Sequence, residues 1–158
     1  MFATNQQGPD EGAPMLYRWI LDPSGGAAKE EQLDDRGQEF PRIDERRTGK
    51  PYRYGYTTGL GDSFALGNLL KIDLAQRSVE THAEGPGRGF MEPVFVPASA
   101  DADEDEGWIL SYVYDASSNR SDVVILDARD FGADPLATIH LPCRVPFGFH
   151  GNWLPDSA

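Results

Sequence analysis

Leu141-Pro-Cys-Arg-Val-Pro-Phe-Gly-Phe-His-Gly-Asn-Trp153 is dense in apolar and aromatic side chains and is interrupted by two prolines and two glycines. Such a run excludes a long helix. Pro142 and Pro146 remove backbone donors and fix φ, while Gly148 and Gly151 weaken helical order. The stretch is expected to be a short extended segment entering a bend. One imidazole, His150, sits between Phe149 and Gly151, where a small neighbour leaves the ring accessible. Neutral imidazole is the commonest protein metal ligand. On spacing alone, His150 reads either as a ligand or as a buried histidine hydrogen-bonded to a backbone carbonyl.

Working outward, the segments before this stretch read as strands. Residues 137–141 form a short strand carrying His140, which is expected to be structural. Trp108–Tyr114 and Asp122–Asp127, rich in β-branched and aromatic residues, flank a Ser/Asn turn and predict a hairpin. Glu92-Pro-Val-Phe-Val-Pro97 predicts a short strand bracketed by prolines, with a carboxylate at its entry that must point outward or find a buried partner. Between these lies Asp101-Ala-Asp-Glu-Asp-Glu106, which lacks the mid-loop glycine of a calcium-binding loop and is expected to be solvated. Asn68–Leu74 and Ser78–His82 predict a second hairpin, with His82 expected on the exposed surface. The glycines of residues 85–89 follow no buried strand and precede no helix, which argues against a phosphate-cradling loop.

Closer to the amino terminus, Tyr52, Tyr54 and Tyr56 alternate with Arg53 and Gly55, so the three rings are expected on one face of a strand. They are read as packing between sheets, the other possibility being that one ring lines an apolar tunnel. Residues 57–68 are Gly-rich and loop-like. Glu39–Asp44 is expected to be irregular, with Pro41 restricting Phe40 to extended geometry. Met15–Asp22 predicts a strand closed by the turn Asp22-Pro-Ser-Gly-Gly26, with a polar edge strand returning near residues 27–33. Residues 1–14 are expected to be a disordered leader, and residues 15–158 one domain. Strands near residues 15–22, 68–74 and 108–114 recur every ~40–50 residues, the range of propeller blades. By itself that loose rhythm supports only an all-β fold.

Arg144-Val-Pro-Phe-Gly-Phe-His150-Gly resembles the C-terminal signature of the carotenoid cleavage oxygenases, a family that includes lignostilbene dioxygenases and the retinal-pigment-epithelium isomerase. Two stretches agree in order: Glu39-Phe-Pro-Arg-Ile-Asp44 followed by Pro51-Tyr-Arg-Tyr-Gly-Tyr56, and Met91-Glu92-Pro-Val-Phe-Val-Pro97 followed by the acidic run and Gly107-Trp108. The resemblance implies an incomplete β-propeller, the last two or so blades of a seven-bladed ring. It implies an iron(II) centre on the axis held by four histidines. His150 matches the last of these, and Glu39 and Glu92 match carboxylates that accept the spare N–H of ligand histidines, an arrangement that fixes tautomer and orientation. The other three ligand histidines belong to a region upstream of the matched one. The implied reaction is oxidative cleavage of a conjugated C=C bond in a carotenoid, apocarotenoid or stilbene. The implied partners are O2, that apolar substrate, and a polypeptide supplying the remaining blades.

Composition sets outer limits. The chain has 158 residues, 14 basic against 26 acidic, for a net charge of −12. This argues against nucleic-acid or anionic-membrane partners, which need basic patches. Cys143 is the sole cysteine, excluding an internal disulfide and fitting a reducing, cytoplasmic setting. No apolar run approaches the ~18 residues of a transmembrane helix. The alternative to an oxygenase part is a catalytically inactive truncated β-domain, a remnant or interaction module lacking three of four iron ligands. A third arrangement, a site built from His82, His140 and His150, requires all three to converge, and nothing in their spacing brings them together.

Overall fold

A computed structural model describes residues 12–61, 65–148 and 150–156. The segment expected to be a disordered leader thus lies mostly outside the described residues, as does Phe149 of the signature. Ten strands follow in order: β1 (Met15–Ile20), β2 (Lys29–Arg42), β3 (Tyr54–Leu60), β4 (Leu66–Asp73), β5 (Ser78–His82), β6 (Arg88–Phe90), β7 (Val94–Pro97), β8 (Gly107–Asp115), β9 (Arg120–Asp127) and β10 (Ala137–His140). One 3₁₀ turn, Glu45–Arg47, follows β2, and no α-helix occurs among the described residues. The strands form two antiparallel five-stranded sheets. The first has the order β1-β2-β3-β4-β5, and the second runs β10-β9-β8 with β6 and β7 both pairing to β8.

Three details of the first sheet correct the expectations. The segments near residues 15–22 and 68–74, read as separate repeats, belong to one sheet. The polar strand near residues 27–33 is part of a 14-residue β2 paired on both sides, and β1 is the edge. The polar composition misled because β2 lies partly exposed despite its interior position in the sheet. Residues 57–68, read as loop, continue β3 to Leu60 and begin β4 at Leu66.

Alternation of side chains in β8 builds the core. Ile109 and Val113 point inward with Val124 and Leu126 of β9, meeting Tyr56, Leu69, Phe90, Phe95 and Phe131. Each such side chain contributes roughly 1.5–3 kcal/mol on burial. The alternate residues of β8, Trp108 and Tyr112, remain exposed on the opposite face. Of the three tyrosines, Tyr56 packs between the sheets as expected, stacked on Phe95 with centroids 5.8 Å apart. Tyr54 lies under the Lys71 ammonium at 4.4 Å, but Tyr52 precedes β3 and is exposed.

The acidic run, expected to be solvated, instead joins the two sheets. Glu104 Oε1 accepts from the backbone N–H groups of Arg53 and Tyr54, at 2.5 and 2.8 Å. Asp105 pairs with the buried Lys71 at 3.1 Å, and Lys71 also donates to the carbonyl of Ala128 at 2.7 Å. Arg46 donates to the carbonyls of Ser99 and Ala100. Sequence alone could not reveal these partners, because they come from β3, β4 and the 3₁₀ turn.

Candidate metal centre

The inner edge of the second sheet is interrupted at Met91-Glu-Pro93. β6 pairs with Val113–Asp115 and β7 with Gly107–Leu110, so the two short strands occupy successive lengths of β8. Pro93 has no N–H to continue the ladder. The interruption is held in shape from three directions. Met91 N–H donates to the Tyr112 carbonyl at 2.9 Å, and the Met91 carbonyl accepts from Thr58 Oγ1 at 2.9 Å and Ser111 Oγ at 2.8 Å. Glu92 leaves this bend with its side chain only 6% exposed. This carboxylate takes the second of the two options open to it and finds buried partners.

The C-terminal segment returns across the second sheet to meet it. Leu141 N–H donates to the Ser121 carbonyl and Val145 N–H to the Ser121 hydroxyl, at 3.1 and 3.0 Å. Phe147 packs edge-on against Tyr114, and Arg144 lies over the Tyr114 ring. The segment then delivers His150, whose Nδ1 stands 3.1 Å from Glu92 Oε1, while Gly151 N–H donates to Glu92 Oε2 at 2.7 Å. A carboxylate facing Nδ1 places the proton on that nitrogen and leaves the lone pair on Nε2 free. The imidazole is 77% exposed. It is therefore not the buried, carbonyl-bonded histidine that spacing left open. A cavity of about 390 Å³ opens beside it, lined by Leu110, Tyr112, Val123, Val145 and Trp153 among others.

Two residues that sequence reasoning did not single out complete the geometry. Phe40 packs edge-on against the His150 ring, with centroids 6.1 Å apart at 84°. Its φ is +56°, in the left-handed region and not the extended one expected before Pro41. The bulge between Glu39 and Arg42 in β2 imposes that turn and aims the ring at His150. Arg42 pairs with Glu92 Oε1 at 3.1 Å and donates to the carbonyl of Gly151 at 3.1 Å. The only signal for either was their place inside the quoted Glu39–Asp44 stretch.

The remaining candidates fall elsewhere. Glu39 lies in β2 opposite Thr58, one residue from Phe40, and its Oε2 accepts from the Phe40 N–H at 3.3 Å. No histidine meets it among the described residues. His82, expected on the surface, is buried edge-on against Phe90 and Phe131, with neither ring nitrogen hydrogen-bonded among the described residues. Its place at the end of β5, opposite the fully buried Leu69, turns it inward. His140, expected to be structural, is exposed on β10 with its Nδ1 2.9 Å from Asp122 Oδ1, away from the cavity beside His150. Burial works to raise the Asp122 pKa, but the hydrogen bonds from His140 and Arg88 prevail and hold it below the ordinary carboxylate value. The three histidines do not converge, and no group of three or more metal-binding side chains occurs among the described residues. One exposed imidazole backed by a buried carboxylate suits a single ligand position in a shared centre, not a resident metal by itself.

Two antiparallel sheets, with an imidazole oriented by the buried Glu92 beside an apolar cavity, are what the described residues present. Comparison with known proteins is direct. The family model of the retinal pigment epithelial membrane protein matches residues 2–155. A carotenoid cleavage oxygenase of Mycobacterium tuberculosis is 37% identical over 165 residues, covering 99% of this chain and 32% of that protein. The apocarotenoid-15,15'-oxygenase of Synechocystis is 36% identical over 155 residues, covering 96% of this chain and 31% of that protein. The solved structure of a cobalt-substituted Synechocystis apocarotenoid oxygenase superposes with a TM-score of 0.85 at 32% identity, covering 95% of this chain and 32% of that one. The chain belongs to the retinal pigment epithelial membrane protein family, whose relatives named here are carotenoid oxygenases. It spans about a third of the length of the relatives it matches.

Proposed function

We propose that this chain is the C-terminal part of a non-haem iron(II) dioxygenase, with His150 as one of four histidine ligands and Glu92 and Glu39 as carboxylates that orient ligand imidazoles. The observation that carries this reading is that His150, its Nδ1 3.1 Å from the buried Glu92 and its ring exposed, lines the apolar cavity, which the similarly paired His140 does not. The other three histidines come from polypeptide beyond this sequence, one of them donating its spare N–H to Glu39. That polypeptide also supplies the remaining blades against the exposed sheet faces.

The reaction adds O2 across a conjugated C=C bond of a carotenoid, apocarotenoid or stilbene. Both oxygen atoms enter the products, one carbonyl on each fragment, and no external reductant is consumed. Iron(II), when bound, supplies the activation of O2. The chain's own part is positional. Glu92 holds Nδ1–H and would leave Nε2 free to bind iron(II), Phe40 limits rotation of the ring, and the apolar wall of Leu110, Val123 and Val145 beside His150 suits a hydrocarbon substrate. The single free Cys143 accords with a cytoplasmic location. No helix among the described residues is long and apolar enough to cross a membrane.

The test is iron content, measured for this chain alone and for the chain co-purified with the polypeptide that carries the missing histidines. The expected result is about one iron per complex, lost on His150→Ala, with Glu92→Ala weakening retention by roughly 10–100-fold. No iron in either sample overturns the reading in favour of a truncated, inactive β-domain.

A further inference from the structure

We infer that Arg42 is a positioning residue that sets the orientation of the His150 imidazole by bracing both Glu92 and the backbone that follows His150. The inference rests on the ligand role proposed for His150, but its first readout does not require iron.

A carboxylate as buried as Glu92 needs a full counter-charge and satisfied lone pairs. Arg42 supplies the charge, its guanidinium being cationic at any working pH. Its side chain is 17% exposed and its Nη1 lies 3.1 Å from Glu92 Oε1, the same oxygen that faces His150 Nδ1. The same Nη1 donates to the Gly151 carbonyl at 3.1 Å. Nη2 donates to Asn152 Oδ1 at 3.2 Å and to Glu45 Oε1 at 2.5 Å. One planar group thus ties the end of β2, the interruption between β6 and β7, and the peptide immediately after His150. Gly151 is gripped from both sides, its N–H by Glu92 and its carbonyl by Arg42. The backbone carrying the imidazole and the carboxylate facing its Nδ1 are therefore located by one side chain. Lysine, a compact point charge on a flexible stem, cannot span these acceptors.

The test is ¹⁵N NMR of the histidine rings in the labelled chain, at a pH where all three imidazoles are neutral, on the wild type, Arg42→Lys and Arg42→Gln. A free neutral imidazole in water favours the Nε2–H tautomer, so a dominant Nδ1–H form at His150 reports the Glu92 contact. In the wild type that form is expected to dominate. Both variants are expected to return His150 toward the free-imidazole ratio while the His82 and His140 signals stay in place. Those two rings certify folding, and Arg42→Lys decides the matter if Arg42→Gln unfolds. An unchanged His150 ratio in folded Arg42→Lys overturns the inference, as does global loss of the His82 and His140 signals in both variants, which would make Arg42 a general stability residue. Iron retention in the assembled protein is then expected to fall roughly 10–100-fold in Arg42→Lys. A shifted tautomer without iron binding in any form would leave the positioning role standing and remove the metal reading, so the two fail separately.

Discussion

Thr58 and Ser111 lie on different sheets and donate their hydroxyls to the same oxygen, the carbonyl of Met91. Each strand thereby controls the bend from which Glu92 projects. Thr58→Val and Ser111→Ala are each expected to lower unfolding free energy by about 1 kcal/mol, the net value of an ordinary hydrogen bond. The double variant is expected to exceed the sum, because only then does the carbonyl lose both hydroxyl donors. A double-mutant cycle by denaturant unfolding measures this directly.

Glu92→Ala removes the acceptor for Gly151 N–H and the charge partner of Arg42 in one step. Breaking a buried pair costs about 3–5 kcal/mol. Arg42 keeps Glu45 and Asn152, so the expected loss lies near the lower end, about 3 kcal/mol. Chemical denaturation is the check, and a loss below that of a surface pair, about 1 kcal/mol or less, would refute the arrangement.

Asp73 closes the β4–β5 turn by accepting from Arg53, and from the amides of Ala75 and Gln76. The Arg53 hydrogen bonds, aided by those amides, hold its pKa down to about 2. A depressed folded-state pKa stabilises fully above the unfolded value of ~3.9 and loses that contribution as pH falls through the folded one. Stability is therefore expected to decline between about pH 4 and pH 2, and Asp73→Asn to flatten that limb. Thermal unfolding across this range checks it.

The Tyr56 hydroxyl is buried without a hydrogen-bond partner among the described residues while its ring stacks on Phe95. Tyr56→Phe keeps the stack and removes the orphaned group, so it is expected to raise stability by about 1 kcal/mol. Tyr56→Ala is expected to cost about 3–5 kcal/mol by opening a cavity. Melting temperatures of the two variants, shifted in opposite directions, test the packing.

The parts of this fold that sequence disclosed are those governed by local period. The β8–β9 hairpin follows from alternation of β-branched and aromatic residues, and its observed register, Trp108 opposite Asp127 through Asp115 opposite Arg120, extends the expected segments by a residue or two. His150 and Glu92 were legible through motif residues, and the structure brings them together. What stayed hidden depends on partners distant in the chain. His82 sits in a polar-looking strand, but antiparallel pairing opposite Leu69 turns it into the core. Phe40 adopts a positive φ that its following proline disfavours, because the bulge in β2 overrides the local preference. Arg42 looks like any surface arginine until residues 92 and 151 arrive.

The acidic run between β7 and β8 bears on which changes the protein tolerates. Loops ordinarily accept insertions and deletions because they run free over the surface. Here Glu104 occupies the amides of Arg53 and Tyr54 at the entry to β3 while its neighbour Asp105 holds Lys71. Adding or removing one residue would put both carboxylates out of step with their partners at once. The segment has a fixed length in the same sense that a strand has a register, and engineered tags or insertions belong in the Asp22–Gly26 turn instead, where a side chain added at Gly25 or Gly26 would meet open space.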